Sequence, residues 1–228
     1  MNKALVLLSG GQDSTTSLYW ALASKAFSGI EALIINYGQR HIIEIDSALA
    51  IAKLAGISSA QIFYTDILTK VGDSALVGKG NVSAEHRNKE LPASFVPGRN
   101  ILFLTIAGMI AYKRGIDNIV VGVCQTDYSG YPDCRMETIE SVQQSLSKGM
   151  DWEFEIYTPM MWLSKKEEVI LGNTFPGCME ALSLSHTCYE GKYPPCGECP
   201  ACKLRAKGFK EAGIPDPLIE RAKHEGCL

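Results

Sequence analysis

No segment of the 228 residues holds the roughly 18 consecutive apolar side chains of a membrane-spanning helix, so no bilayer helix is expected. The layout of a secretory leader is missing too: the apolar stretch behind Lys3 is short and runs straight into Ser9-Gly10-Gly11. A cytoplasmic location is the expectation. Basic charge is not in excess, since 22 Lys and Arg stand against 25 Asp and Glu, for a formal net charge of −3. A polynucleotide partner would need a local basic patch, and direct nucleic-acid binding is not expected. Internal repeats and low-complexity tracts are absent. What is present is ordinary for a globular chain, with 46% apolar and 21% charged residues. The length suffices for one full α/β core with a small appendage. The eight cysteines, in a reducing compartment, read as metal ligands, catalytic thiols or core residues rather than disulfides.

Ala4–Leu8 is a short continuous apolar run ended by glycines, the pattern of a strand buried on both faces of a parallel sheet. Helical spacing follows over Ser14–Ala26, with Leu18, Ala21 and Leu22 on one side. A strand is expected at Ala32–Ile35 and a helix at His41–Ala55, with Ile42, Ile45, Leu49, Ala52 and Leu54 inward and Gly56 closing it. Gln61–Tyr64 reads as a third strand. The polar stretch Leu68–Gly98 is too long for a simple connection and reads as a lid or binding segment. Then come a strongly apolar helix at Arg99–Arg114, a strand at Asn118–Val123, a helix within Pro132–Ser147 and an edge strand at Phe154–Tyr157. Ser164 is placed to cap a short helix, with Glu167 three residues on. This alternation implies an α/β fold: a doubly wound, mostly parallel, Rossmann-like sheet with ligands bound beyond the carboxyl ends of the strands. The loops after Ser9, Asn36, Asp66 and Gln125 should then line one face. After Ser183 the chain turns to cysteine, proline and glycine. Residues 1–183 are expected to form the α/β domain and 184–228 a small C-terminal metal-binding subdomain.

"LSGGQDST", Leu8 to Thr15, lies between the first strand and the first helix. Glycines let a backbone approach anionic oxygens and turn its N–H groups inward, and the helix N-terminus adds partial positive charge. The hydroxyls of Ser9 and Ser14 can donate. Asp13 is an odd neighbour for phosphate unless it helps hold magnesium or fixes the loop. The loop is neither a Gly-Lys-Ser/Thr P-loop nor Gly-x-Gly-x-x-Gly. At the other end, Cys188, Cys196, Cys199 and Cys202 have the density of a tetrahedral four-thiolate site. Structural zinc is the first reading and an iron–sulfur cluster the rival. Lys203, Arg205 and Lys207 follow and could offset the charge of such a centre. Cys124, Cys134, Cys178 and Cys227 fit no ligand spacing and read as buried or incidental thiols.

Ser9-Gly10-Gly11-Gln12-Asp13-Ser14 resembles the signature of the PP-loop ATP pyrophosphatase superfamily. There the loop grips the β,γ-pyrophosphate while the substrate attacks the α-phosphorus, so no lysine for terminal phosphoryl transfer is required. Further segments, "NYGQRHIIEI", "FVPGRNILFL", "DYSGYPDCRMETIESV", "TPMMWLSKKE" and the cysteine-rich "TCYEGKYPPCGECPACKLRAKGFKEAGIPDP", together resemble the QueC family of queuosine biosynthesis over nearly the whole chain. The sequence departs from that pattern slightly, with prolines around the cysteines and Glu190 where a basic residue is common.

The resemblance implies an adenine nucleotide alpha hydrolase-like fold, a homodimer, ATP with magnesium as cosubstrate, and one structural zinc per chain on Cys188, Cys196, Cys199 and Cys202. It implies conversion of 7-carboxy-7-deazaguanine and ammonia to the nitrile through adenylated carboxylate and amide. Leu8, Ser9, Gly10, Gly11, Gln12, Asp13, Ser14, Thr15, Asn36 and Tyr37 are then expected to bind ATP, and Asp13, Ser14 and Arg99 to serve catalysis. Arg99 suits a phosphate or the substrate carboxylate, or is a surface arginine at a helix start. Asp127, Tyr128, Tyr131, Asp133 and Arg135 are expected at the substrate, where tyrosines stack on a guanine-like ring and a carboxylate accepts from its N–H donors. An ordered tyrosine-rich loop is the plainer alternative. His41 and His86 are weak candidates. Lys165 and Lys166 read as a solvated helix start, with the triphosphate as the alternative partner of one of them. Two rival functions remain: a PP-loop tRNA-modifying adenylating enzyme, and a non-enzymatic zinc module that leaves the glycine loop unexplained. No glutaminase-like domain is visible, so free ammonia is the expected nitrogen donor.

Overall fold

The computed structural model describes residues 2–39, 43–71, 91, 94–126 and 131–227. Five strands, β1 (Lys3–Leu7), β2 (Gly29–Asn36), β3 (Gln61–Tyr64), β4 (Asn118–Val121) and β5 (Glu155–Tyr157), form one sheet in the order β3-β2-β1-β4-β5. Every pair is parallel; Val6 of the central strand stands opposite Ala32 on one side and Val120 on the other. The apolar runs are continuous because both faces are covered. Leu5, Leu7, Leu33, Ile35, Ile119 and Val121 enter one core with helices α4 (Arg99–Arg114) and α5 (Met136–Met150). Ala4, Val6, Ala32, Ile34 and Val120 enter the other with α1 (Gln12–Ala23), α2 (Ile43–Leu54) and α7 (Cys178–Leu184). Winding reverses between β1 and β4, so a crevice opens beyond their carboxyl ends. There the loop after β4 presses on the start of α1: a Cβ on Gly122 would lie 2.7 Å from the Asp13 carbonyl carbon and the Ser14 nitrogen.

The doubly wound parallel sheet is as the alternation implied, and β5 is an edge strand. Several limits differ. α1 stops at Ala23 because Ser24 turns extended and returns its N–H to the Trp20 and Ala21 carbonyls. β4 ends at Val121, just before the close approach at Gly122. Pro132–Cys134 is a separate 3-10 turn, parted from α5 by the extended backbone of Arg135. Leu22, Leu49 and Leu54, expected inward, are 39%, 38% and 39% exposed. α1 is instead wedged between the sheet and its neighbouring helices by the short side chains Ser14, Thr15 and Ser17, which turns Leu22 outward. His41 and Ile42, His86, most of the Leu68–Gly98 stretch, and Asp127 and Tyr128 lie outside the described residues.

Past a five-residue helix α3 (Ile67–Val71), the second half of the chain supplies α6 (Lys165–Thr174), α8 (Pro200–Ala212) and α9 (Pro217–His224). Ser164 and Glu167 form the expected capping box on α6. α8 lies along α6, closest at Gly208, where a Cβ would stand 2.8 Å from that of Lys165. Phe209 of α8 is part of the core beneath the sheet. Arg205 does not turn toward the cysteines. Its guanidinium is buried, donates to both oxygens of Asp216 at 2.7 and 2.8 Å, to Ser185 Oγ at 2.7 Å and to the Leu182 carbonyl at 3.0 Å, and so ties α7, α8 and α9 together.

Candidate active site

The glycine loop is held open by its own hydroxyls. Ser9 Oγ and Ser14 Oγ lie 2.9 Å apart, Ser9 N–H donates to Ser14 Oγ at 3.2 Å, and Ser14 and Thr15 hydroxyls both donate to the Gly11 carbonyl. Gly10 has φ +85°, and a Cβ there would lie 2.3 Å from the carbonyl oxygen of Glu44, so the loop packs directly on the first turn of α2. Its carbonyl accepts from His186 N–H at 2.8 Å, which anchors the segment after α7 to the loop. No side chain caps α1 at Gly11, leaving the first-turn N–H groups for an external anion. Gln12 is 2% exposed, yet its Nε2 has no hydrogen-bond partner among the described residues. Thr187 Oγ1, on the residue whose methyl group packs near Gly11, has none either. Buried donors of this kind cost stability unless something accepts from them.

Asp13 at the loop's end pairs with Lys165, which also reaches Glu168 Oε2 at 2.9 Å. Contrary to the sequence reading, Lys165 is not solvated; its side chain is 8% exposed and that of Glu168 2%. Thr16 Oγ1 lies 3.5 Å from the other Glu168 oxygen. One ammonium thus bridges two carboxylates beside the loop. Lys166 is exposed.

These groups form one wall of a cleft of about 1090 Å³. Opposite the glycine loop stands Arg99 at the start of α4. Burial alone would lower its pKa, but Tyr37, Asp133, Tyr131 and Cys134 surround the guanidinium and raise it, so it is a fixed cation. The Tyr37 hydroxyl bonds to Arg99, and its own pKa is raised by burial. Glu44 lines the same region; burial pushes its carboxyl up to about 7 against the pull of Arg99. Phe95 and Tyr131 meet as a tilted ring pair with centroids 5.6 Å apart, Tyr131 shares a 2.6 Å hydrogen bond with Ser94, and Tyr189 bonds to Tyr131. The result is an aromatic recess beside a cation, suited to a flat heterocycle bearing an acid group. Cys134 lines the recess with a thiol that burial and Asp133 push up to about 12, and Asn100 Nδ2 lies 3.2 Å from its sulfur.

Next to the cleft, the sulfur atoms of Cys188, Cys196, Cys199 and Cys202 lie within 4.8 Å of one another. Cys196 and Cys202 sulfurs are 3.9 Å apart, close to the ~3.8 Å edge of a tetrahedron with Zn–S bonds of about 2.3 Å. Backbone N–H groups of Cys199 and Glu198 hold the Cys196 thiol down at about 7. The four residues therefore fit a metal ion such as zinc, with no ligand position open to water or substrate. Cys199 is also the N-cap of α8, whose Lys203 and Lys207 line the cleft mouth.

Of the residues expected at the nucleotide, Leu8, Ser9, Gly11, Gln12, Asp13, Ser14 and Tyr37 line the cleft. Gly10, Thr15 and Asn36 do not; their bonds to His186, Gly11 and Gly38 build the frame. Arg99 and Tyr131 line it as well. Asp133 is committed elsewhere: its buried carboxylate accepts from the Asn100 N–H at 3.0 Å and so holds the start of α4. Arg135 does not reach the cleft; it is half exposed and pairs with Glu137 at 3.6 Å. Sequence reasoning passed over Glu44, Tyr189 and the buried role of Lys165. Glu44 carried a usable signal, because the first turn of a helix that follows a strand's carboxyl end lies at the ligand-binding face.

Comparison with known proteins fits this arrangement. The family model "Queuosine biosynthesis protein QueC" matches residues 3–213. A protein of Chromobacterium violaceum named 7-cyano-7-deazaguanine synthase is 51% identical over 225 residues, covering 98% of this chain and 95% of the relative. One of the same name from Laribacter hongkongensis is 50% identical, with 96% and 94% covered. Among solved structures, a 4-thiouridine synthetase in complex with RNA and bound ATP superposes with a TM-score of 0.52 at 17% identity. The match takes in 97% of this chain and about half, 53%, of that longer one, and is a likeness of fold. On the family match and the two relatives, the chain belongs to the QueC family of queuosine biosynthesis proteins.

Proposed function

We infer that this chain is an ATP-dependent 7-cyano-7-deazaguanine synthase, the name its relatives carry. The observation that carries the reading is the uncapped start of α1, with the orphaned Gln12 amide, opening into the same cleft as Arg99 and the aromatic recess. An anion site built from backbone N–H groups suits the β,γ-pyrophosphate of ATP. A recess with a fixed guanidinium suits a heteroaromatic carboxylate. A free carboxylate is a poor electrophile, because its leaving group would be oxide. Attack of its oxygen on the α-phosphorus expels pyrophosphate and makes AMP the leaving group. Ammonia then gives the amide, and a second activation of the amide oxygen gives the nitrile.

In this reading Ser9, Gly11, Gln12 and Ser14 hold the polyphosphate, and Lys165, fixed by Asp13 and Glu168, neutralises it. Arg99 orients the carboxylate, and Tyr131 and Tyr189, the former backed by Phe95, pack on the ring. Magnesium would travel with ATP, and Asp13, whose Oδ1 is engaged by Lys165, would offer it the other carboxylate oxygen. One structural zinc per chain on the four cysteines would fix the α8 wall, so the chain divides by role at residues 183 and 184. Asp127 and Tyr128 remain substrate candidates by their place after β4. The exposed Ile101, Met109 and Tyr112 along α4 support a homodimer, and the net charge of −3 supports an enzyme without nucleic-acid binding; a cytoplasmic place belongs to the same reading. The test is incubation with ATP, ammonium and 7-carboxy-7-deazaguanine, read by mass spectrometry. Nitrile, AMP and pyrophosphate are expected; ADP and phosphate alone would refute the reading.

A further inference from the structure

We propose that Glu44 is the proton acceptor for the reacting nitrogen, a catalytic role assigned by its position between the glycine loop and Arg99. The inference rests on the function just proposed. That reaction must strip nitrogen of every proton it carries. Ammonia adds to the acyl carbon, one N–H proton leaves, and collapse expels AMP with the C–O electron pair. The amide oxygen then displaces pyrophosphate from a second ATP, the imidate nitrogen loses a proton, and loss of AMP with the last N–H proton forms the C≡N bond. One proton departs in the first half and two in the second, and each needs a base inside the cleft.

The cleft offers few bases. Among the described residues its lining contains two carboxylates, Asp13 and Glu44, and Asp13 is taken by Lys165. Lys165 is itself bracketed by Asp13 and Glu168 and stays cationic. His186 turns Nε2 to the Cys188 carbonyl at 3.2 Å. The Cys134 thiol is pushed up to about 12, and burial raises Tyr37 and Tyr189 above the ordinary phenol value, so these hold their protons at neutral pH. Glu44 differs from all of them. Its backbone carbonyl abuts Gly10, which fixes the residue against the glycine loop. Its side chain lines the cleft, and no hydrogen bond or ion pair among the described residues engages its carboxylate. The described titratable groups that face it are Arg99 from α4 and Tyr37 from the end of β2. Burial holds its carboxyl at about 7, the value at which a general base combines availability with driving force near neutral pH. Each accepted proton passes on to water at the open cleft mouth.

Glu44→Gln and Glu44→Asp test this with ATP, ammonium and 7-carboxy-7-deazaguanine. Adenylation of the carboxylate moves no proton from nitrogen, so carboxylate-dependent ATP–pyrophosphate exchange should persist in E44Q. Nitrile formation should fall by about 10²–10⁴-fold, and the rising limb of the kcat/KM profile near pH 7 should vanish. E44D keeps a carboxylate and should retain the limb at reduced rate. Nitrile formation by E44Q with the wild-type limb would overturn the proposal. So would a matched loss of exchange and nitrile in an E44Q protein of unchanged melting temperature, which marks substrate recognition instead. Absence of carboxylate-dependent exchange in the wild type would strike the functional reading itself, an outcome separable from both.

Discussion

Replacing Lys165 by methionine removes the ammonium that bridges Asp13 and Glu168 while keeping most of the side chain's apolar stem. The two carboxylates respond differently. The Asp13 side chain is 29% exposed and can recover solvent. The Glu168 side chain is 2% exposed and loses its cation with no access to solvent. Breaking a buried ion pair costs about 3–5 kcal/mol; relief at Asp13 places this case near the lower end, about 3 kcal/mol. A chain of this size loses roughly 2–4 °C per kcal/mol, which predicts a drop of about 6–12 °C in Tm, read by circular dichroism at pH 7.5 under reducing conditions. Adding Glu168→Gln removes the stranded charge and should restore most of the lost Tm. A loss under about 2 °C, or a double variant no more stable than the single one, would refute the claim that this lysine is a buried counter-ion.

Asp13→Ala should abolish nitrile formation and pyrophosphate exchange, yet destabilise less than Lys165→Met, because Lys165 keeps Glu168; near-normal turnover would exclude Asp13 from the site. Cys199→Ser should lower metal content and Tm together, and elemental analysis of the wild type should find about one zinc per chain and no iron. A brown protein absorbing near 400 nm would revive the iron–sulfur alternative. Gly10→Ala should cost more than the ~1–2 kcal/mol of left-handed backbone alone, since its Cβ would meet the Glu44 carbonyl at 2.3 Å; a melting curve matching wild type would contradict that packing.

The parts legible in the sequence are those whose cause is local. The apolar run of β1, the apolar stripe of α4 and the Ser164–Glu167 box all state their structure within a few residues. The cysteine spacing likewise announced a cluster. Lys165 was misjudged because its partner Asp13 is 152 residues away, and nothing local separates a buried lysine at a helix start from a solvated one. Asp133 was expected at the substrate, but its carboxylate holds the Asn100 N–H, an engagement that depends on how α4 meets the 3-10 turn, a tertiary fact. Leu22, Leu49 and Leu54 followed the helical period but not the burial, because small side chains let α1 and α2 seat deeper on one edge of the apolar stripe. Tyr189 drew no reading from the sequence; the turn around Cys188 brings it to Tyr131 at the cleft wall, which is again a tertiary fact.

The bond from His186 N–H to the Gly10 carbonyl joins the segment after α7 to the glycine loop, and Tyr189, Lys203 and Lys207 complete the cleft wall. During translation the loop and Glu44 emerge first, and these partners follow more than 140 residues later. A nascent chain that has made only the sheet therefore carries the glycine loop without this wall. The order of synthesis delays a finished nucleotide pocket until the cysteine-bearing turn and α8 have folded back, so an incomplete chain has no enclosed place in which to spend ATP.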